Sequence, residues 1–251
     1  MKISIITVVY NNPQVYEALD SILNQRLEGE LESIVVDGGS RAETIEAIKP
    51  YLPRLGYFIS ERDNGIYHAM NKGLTMATGD IVGTLNSDDL YADDQVLQKV
   101  MEAFQDPLVD IVYGDLVYVS AADTSRVIRY WRSKPYHAGL FEKGWMPPHP
   151  SFFARREIYE KYGLFNLDFK IAADFELMAR FLAYHSAPAV HLAEVLVKFR
   201  MGGASNQSIR NILRANLESR RACLLNGLKI SPLFILRKIG SKIPQFFRRE
   251  K

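Results

Sequence analysis

Asp88 and Asp89 are adjacent carboxylates that close the segment Asp80-Ile81-Val82-Gly83-Thr84-Leu85-Asn86-Ser87. Two such charges at the tip of a buried strand are costly to crowd together unless a cation or a helix N-terminus compensates them. Either a magnesium or manganese ion sits there, or one aspartate caps a turn ahead of a helix expected from Asp93. A hard cation held by one or two carboxylates and by substrate phosphate oxygens is a usual way to grip a diphosphate. The sequence contains neither a G-x-x-x-x-G-K-[ST] loop nor a G-x-G-x-x-G fingerprint, which excludes P-loop and ordinary dinucleotide sites and leaves phosphate to be neutralised otherwise.

Two further loops carry acceptors, small residues and an aromatic: Tyr10-Asn11-Asn12 and Asp37-Gly38-Gly39-Ser40. Tyr10 could stack on a nucleobase, Asp37 could accept from a base imide or amine, and the glycines permit close approach. The same Asp-Gly-Gly-Ser turn is also a common way to end a strand. Asn64-Gly65 reads as a turn with positive φ. Asp174, ahead of Phe175, offers a carboxylate either as a general base or as an N-cap, and the two roles are compatible. His149 and Trp145 lie in the proline-rich stretch Gly144-Trp145-Met146-Pro147-Pro148-His149-Pro150, where a histidine is either simply solvated or helps to shape a pocket.

The elements that must position these residues follow from periodicity. Ser4 to Tyr10 is a nearly continuous β-branched run, as expected of a central strand buried on both faces. Asn11 or Asn12 should cap a helix with Pro13 in its first turn and Val15, Ala18, Leu19, Ile22 and Leu23 on one face. A strand at Leu31 to Asp37 leads to a helix that the capping box Ser40-Arg41-Ala42-Glu43 should open. A strand near Gly56 to Ser60, a helix near Tyr67 to Met76 and a strand at Asp80 to Leu85 continue the alternation, which predicts a doubly wound α/β fold with a mostly parallel sheet. Such sheets bind ligands at the carboxyl ends of their strands, where the three loops fall. Beyond a helix at Asp93 to Phe104 the texture changes to short strands at Ile111 to Tyr113, Leu116 to Val119 and Val127 to Trp131. A helix from Phe175 to Tyr184, a strand at Val195 to Arg200 and a helical pattern from about Gln207 to Leu225 complete the reading.

Taken in order, Ile6-Thr7-Val8-Val9-Tyr10-Asn11, Val35-Val36-Asp37-Gly38-Gly39-Ser40, Glu61-Arg62-Asp63-Asn64-Gly65-Ile66-Tyr67, Ala69-Met70-Asn71-Lys72-Gly73, Ala77-Thr78-Gly79-Asp80, Asn86-Ser87-Asp88-Asp89 and Ala172-Ala173-Asp174-Phe175-Glu176-Leu177 resemble the inverting family 2 glycosyltransferases of GT-A fold. The resemblance runs from about Ile3 to Ser205 and is nearest to members that build bacterial exopolysaccharide and other surface glycans. It implies transfer of a sugar from a UDP- or GDP-linked donor to a hydroxyl of a glycan acceptor by single displacement; a lipid-linked acceptor is what the basic tail would suit. It implies nucleotide-sugar contacts from Tyr10, Asn11, Asp37, Ser40, Asn64, Gly65, Asn86 and Asp88, a Mn2+ or Mg2+ ion at Asp89 with Asp88, and Asp174 as base. His149 and Trp145 would lie on the acceptor side. Family members often carry a second acid just before the base, where this chain has Ala173.

By the same resemblance residues 1–204 form the transferase domain, with 1–105 binding the donor and 106–204 the acceptor, and 205–251 form a basic helical tail. From Ala204 onward eleven Lys/Arg face two Asp/Glu, although the whole chain of 251 residues has a net charge of only +2. From Lys229 on, Leu233, Phe234, Leu236, Ile239, Ile243, Phe246 and Phe247 alternate with Arg237, Lys238, Lys242, Arg248 and Arg249. That mixture suits either an interfacial segment on anionic lipid or a helix packed on the core with a solvated basic face. No nucleic-acid module accompanies the charge, so no nucleic-acid partner is expected. One cysteine, Cys223, excludes a disulfide framework and a thiolate zinc cluster. No apolar run reaches the roughly 18 residues of a spanning helix, so a cytoplasmic protein, peripheral at the inner membrane face, is expected. The competing readings are a sugar-phosphate nucleotidyltransferase, which Tyr10-Asn11-Asn12-Pro13 disfavours for want of a Gly-rich, Arg-containing loop, and a non-catalytic nucleotide-sugar-binding protein.

Overall fold

The β-branched runs become strands in the computed structural model of the chain, which describes residues 1–201 and 209–240. β1 (Lys2–Val9), β2 (Glu30–Asp37), β3 (Tyr57–Ser60) and β4 (Ile81–Thr84) alternate with α1 (Val15–Leu23), α2 (Ala42–Ile48) and α3 (Ile66–Met76). These four strands pair in parallel in the order β3-β2-β1-β4, with Val9 opposite Asp37 and Asp37 opposite Ser60. The carboxyl ends of β1, β2 and β3 are therefore level, β4 ends opposite Ile6 of β1, and the loops that follow the four strands share one edge.

Alternation of side chains across β1 sorts the core into two faces. Ile6 and Val8 join Ala69, Met70 and Leu74 of α3 on one side. Ile3 and Ile5 join Ile22 of α1, and Val9 joins Val15, Leu19 and Ile48 of α1 and α2, on the other. Helices thus cover both faces, as a parallel sheet of apolar strands requires.

The second half continues the same sheet by other means. Short β5 (Leu90–Tyr91) and α4 (Val96–Ala103) precede β6 (Ile111–Val119), and β7 (Val127–Trp131) pairs with it antiparallel. β8 (Phe152–Arg155) runs antiparallel between β4 and β6, and β9 (Ala189–Arg200) runs parallel to β6. The antiparallel pairings of the described residues all fall in this half. The two strands expected at Ile111 to Tyr113 and Leu116 to Val119 are one, because Gly114 and Asp115 are buried within the ladder and continue it.

Several local expectations are corrected. Pro13 lies outside α1, which begins at Val15 without a side-chain cap, and the Asn12 carboxamide instead accepts from the amide of Gln14 (3.1 Å). The capping box does not form: α2 is preceded by Arg41, and the Ser40 hydroxyl accepts from the amide of Asn11 (2.7 Å). The helix expected from Phe175 starts earlier, as α6 (Ala173–Met178), and ends in a π-helical turn over Ala179–Tyr184. α5 (Arg156–Tyr162), β5 and β8 had no counterpart in the sequence reading.

The tail is partly core. α7 (Ile209–Leu225) places Ala222 and Cys223, and α8 (Phe234–Gly240) places Phe234, in the same cluster as Phe141, Phe175 and Leu177. Phe234 is completely buried, and the ammonium of the buried Lys238 lies 4.6 Å from the centre of the Phe175 ring and against the Ser219 hydroxyl. Neither residue is therefore available to a lipid surface, whereas Leu233, Leu236 and Ile239 are exposed. Lys242, Ile243, Phe246, Phe247, Arg248 and Arg249 lie outside the described residues.

Candidate active site

The parallel order of β1, β2 and β4 brings the three loops to one edge, and side chains tie them. Asn11, at φ 49°, donates its amide to Ser40 Oγ and accepts the Arg41 amide on Oδ1 (2.9 Å). Asn12 reaches the other way, its Nδ2 donating to the Ser87 carbonyl (3.0 Å) and hydroxyl (3.2 Å). A left-handed residue is tolerable when asparagine occupies it, and here it bridges the loops after β1 and β2.

Asp37 is fully buried. Its Oδ2 accepts from the amides of Gly39 (3.0 Å) and Ser40 (2.9 Å) and from the Ser60 hydroxyl (2.6 Å), while Oδ1 finds no partner among the described residues. An unpartnered carboxylate oxygen costs free energy unless a donor arrives. Tyr10, 67% exposed, stands beside it. A Cβ on Gly38 would lie 2.5 Å from Asp63 Oδ2 and 3.4 Å from the Tyr10 ring, so a side chain there would require the Asp63 carboxylate to move. Asp63 Oδ1 in turn accepts from the amide of Gly65 (2.8 Å), whose φ of 113° confirms the expected turn and opens α3. Asn64 and Gly65 are both exposed.

At the tip of β4 the two aspartates differ. Asp89 is completely buried, with Oδ2 accepting from Asn86 Nδ2 (3.0 Å) and Oδ1 from the Arg200 amide (3.3 Å). Burial, reinforced by the charge of Asp88, raises its pKa well above the usual carboxylate range against the pull of Asn86 and Arg200. Asp88 is the member of the pair that reaches solvent, and burial raises its pKa as well. Asn86 Oδ1 is buried without a partner among the described residues. Asp88 and Asn86 Oδ1 are hard oxygen donors beside a second carboxylate, and that set suits a cation that completes its shell with phosphate and water. No cluster of three or more His, Cys, Asp or Glu that could hold a metal occurs among the described residues, so a cation here would need ligands beyond such side chains. Arg200 pairs with Glu17, and its Nε also lacks a partner among the described residues.

Asp174 is half-buried in the first turn of α6, where its Oδ1 accepts from the Phe175 amide (2.8 Å) and from the Tyr67 hydroxyl (3.2 Å). It is not the N-cap, a position held by Ala172. Tyr67 also donates to the Ile171 carbonyl (2.8 Å). Burial, and after it the charge of Asp174, raises the Tyr67 pKa well above its ordinary value, which keeps the hydroxyl a donor. Tyr67 stacks on Phe165 (5.5 Å between centroids), and His149 packs edge-on against the same ring (5.6 Å). Burial lowers the His149 pKa although Asp174 pulls it up, so the imidazole is neutral near pH 7. Trp145 packs with Tyr113, Tyr136 and Phe141. Ala173 is buried at the place of the missing second acid, and the acid one turn on, Glu176, is buried in a pair with Arg180 (3.0 Å).

The structure therefore joins Tyr10, Asn11, Asp37 and Ser40 in one group, Asn86, Asp88 and Asp89 in a second linked to it through Asn12 and Ser87, and Asp174 with His149 in a third. Tyr67 escaped the sequence reading as a site residue although it closes the segment Asp63-Asn64-Gly65-Ile66-Tyr67, and Asn12, Ser60 and Arg200 escaped it too. Their hydrogen bonds join loops 23 to 111 residues apart in the chain, a separation that no local pattern records.

The sequence pattern described as glycosyl transferase family 2 matches residues 4–163. An uncharacterised glycosyltransferase of Mycobacterium tuberculosis is 31% identical over 181 residues, 71% of this chain and 68% of that protein. A PGL/p-HBAD biosynthesis glycosyltransferase of the same species is 30% identical over 209 residues, 81% of this chain and 78% of that one. Among solved structures, Staphylococcus aureus TarS 1–349 in complex with UDP superposes with a TM-score of 0.64 at 16% identity, covering 94% of this chain and 68% of that one. The mannosyltransferase PcManGT of Pyrobaculum calidifontis, in complex with GDP-Man and Mn2+, gives 0.63 at 21% identity over 96% of this chain and 68% of its own. Both share the curled α/β sheet described above, the GT-A arrangement.

Proposed function

The chain belongs to glycosyl transferase family 2, and from that premise we propose that it moves a sugar from a UDP- or GDP-linked donor to a hydroxyl of a growing bacterial surface glycan, with inversion. One observation carries the reading. The segment 63–67 begins over Gly38, where the Tyr10 ring also lies, and it ends with a hydroxyl 3.2 Å from Asp174, so one short segment links the aromatic end of the loop after β1 to a half-buried carboxylate.

Tyr10 would stack on the base, Asp37 Oδ1 would accept its N–H, and the loop held by Asn11, Ser40, Asn64 and Gly65 would line the ribose and phosphates. Asp89 with Asp88 would hold the divalent ion, the Asn86 carboxamide and the Arg200 amide fixing the Asp89 carboxylate. A manganese or magnesium ion supplies Lewis-acid stabilisation to the departing diphosphate. Asp174 takes the proton of the acceptor hydroxyl as that oxygen bonds the anomeric carbon and the bond from carbon to diphosphate oxygen breaks. Direct displacement of this kind inverts the centre and leaves no covalent sugar on the protein. Neutral His149 and Trp145 flank the acceptor. Residues 1–105 form the donor half and 106–204 the acceptor half; α7 and α8 belong physically to the latter.

The test is release of UDP or GDP from UDP-GlcNAc and GDP-mannose with manganese, comparing wild type with Asp174→Asn. Turnover that falls about 10²- to 10⁴-fold in the variant, with donor-dependent thermal stabilisation retained, supports the base. Metal-dependent donor binding with no turnover by either protein would show a binding module instead.

Among the described residues no helix is long and apolar enough to cross a membrane. Leu213, Leu217 and Leu224 of α7 and Leu233, Leu236 and Ile239 around α8 are exposed beside Arg220, Arg221 and Arg237. These exposed apolar and cationic side chains support docking of the enzyme on anionic lipid at the cytoplasmic surface, where a lipid-linked acceptor would be presented. Leu233→Ser with Leu236→Ser should release the protein from phosphatidylglycerol vesicles, and unchanged partition would refute the docking.

A further inference from the structure

The base sits in the first turn of α6, where the leading backbone amides have no partner within the helix. Its orientation must come from outside. Tyr67 supplies one restraint, and α7 supplies the others.

Glu218 of α7 is 10% exposed at its side chain and reaches the chain just ahead of α6. Its Oε2 accepts from the amides of Lys170 (3.0 Å), Ile171 (2.8 Å) and Ala172 (3.0 Å), and its Oε1 accepts from Arg214 Nε (2.9 Å). Three consecutive amides converging on one oxygen fix the backbone of that stretch, and each would be left without a partner by truncation. The pKa of the carboxyl lies below its ordinary value: burial raises it, but the bonds from Ile171, Ala172, Lys170 and Arg214 outweigh that rise. Arg221, one turn further along α7, lies over the Phe169 ring (4.9 Å) and near Asp168 (3.9 Å). Asn226 Nδ2 then donates to Glu176 Oε1 (3.3 Å) on α6 itself. The tail helix thus grips the loop before the base and the turn after it.

We propose that Glu218 is a positioning residue for transfer, acting through the backbone of residues 170–172 to set the carboxylate of Asp174 against the acceptor hydroxyl. The proposal rests on the reading of Asp174 as the base. Loss of the clamp moves the carboxylate without touching the donor loops, and displacement by about 1 Å from an attacking geometry costs on the order of 10²-fold in rate. Because a glutamine carbonyl retains one acceptor for the three amides, Glu218→Gln should be the milder variant and Glu218→Ala the stronger.

The experiment measures UDP or GDP release from UDP-GlcNAc and GDP-mannose with manganese, and amide hydrogen exchange over residues 166–178. In Glu218→Ala kcat is expected to fall about 10- to 100-fold with the donor KM unchanged, and in Glu218→Gln by a few-fold. Exchange at residues 170–172 should quicken in both, and in the Asp174→Asn background neither should lower residual turnover further, as expected of groups that act as a unit. Should Glu218→Ala be too unstable to assay, Glu218→Gln carries the test alone. Unchanged kcat in a folded variant, or a rise in donor KM with kcat intact, overturns the clamp while leaving Asp174 as base. Wild-type turnover in Asp174→Asn itself overturns the base and the clamp with it. If no donor turns over, unchanged exchange at 170–172 still refutes the restraint.

Discussion

The half built on β1 to β4 and the half that carries Asp174 organise their polar groups differently. In the first, Asn11, Asn12, Asp37, Ser60 and Ser87 bond between neighbouring strand tips, and the register that pairs Val9 with Asp37 and Asp37 with Ser60 already sets them side by side. In the second, a carboxylate on a short helix is reached by a tyrosine 107 residues earlier, and its loop is held by a glutamate 46 to 48 residues later than the amides it binds. Topology delivers the loops after β1, β2 and β4, whereas long-range clamps deliver Asp174. The two halves should therefore fail differently when substituted.

The sharpest contrast comes from Phe234. It is fully buried against Phe175, with ring centroids 6.5 Å apart, so Phe234→Ala leaves a cavity beneath α6 and should cost about 3–5 kcal/mol of stability. Turnover measured below the lowered melting point should fall while the dissociation constant for UDP or GDP with manganese stays within a factor of about two, on the order of 0.4 kcal/mol. Equal loss of nucleotide affinity would erase the distinction between the halves. Tyr67→Phe probes the link between them. It removes the hydroxyl shared by Asp174 and the Ile171 carbonyl, for about 1–2 kcal/mol, and should lower kcat about tenfold with nucleotide affinity unchanged.

The same contrast explains what the sequence disclosed. β1, β2 and β4 are legible because strands buried on both faces must be β-branched and continuous, and the ligand loops follow from parallel order alone. Asp174 is recognisable by its motif, but its surroundings are not. β8 hides in Phe152-Phe153-Ala154-Arg155, a short apolar run after a proline-rich loop, and α5 opens on Arg156 without a capping signal. Ser40-Arg41-Ala42-Glu43 has the composition of a capping box, yet Ser40 answers to Asn11 across the crevice, a tertiary partner that outbid the local one. The sequence left the tail between a lipid surface and the core for a related reason. Its cationic composition is real, but Phe234 and Lys238 face inward from α8, and Glu218 of α7 takes three backbone amides as partners besides Arg214.

The smallest effect, and the cleanest control for the Glu218 clamp, is expected from Glu32. This second glutamate also has a lowered pKa: burial raises it, but the Ser4 hydroxyl, the Thr78 amide and hydroxyl and the Lys2 ammonium together bring it from 4.5 to about 2. It lies near the amino end of β2, paired in register with Ser4 of β1, at the opposite end of the strands from every site residue. Its bonds to Ser4 Oγ (2.5 Å), the Thr78 amide (2.8 Å) and Lys2 Nζ (2.9 Å) tie β1, β2 and the turn before β4. A group whose pKa is depressed by folding contributes stability that is complete above its unfolded value and disappears as pH falls through the folded one. Glu32→Gln should therefore destabilise the protein by about 1–2 kcal/mol at neutral pH, the deficit shrinking from pH 4.5 toward 2. Denaturant unfolding at stepped pH reads this directly. Turnover at 25 °C should be untouched, because the strand tips keep their register whether or not this end is stapled. A fall in kcat matching that of Glu218→Ala would mean that any loss of a buried carboxylate disturbs the base, and the two ends of the sheet would then not be separable.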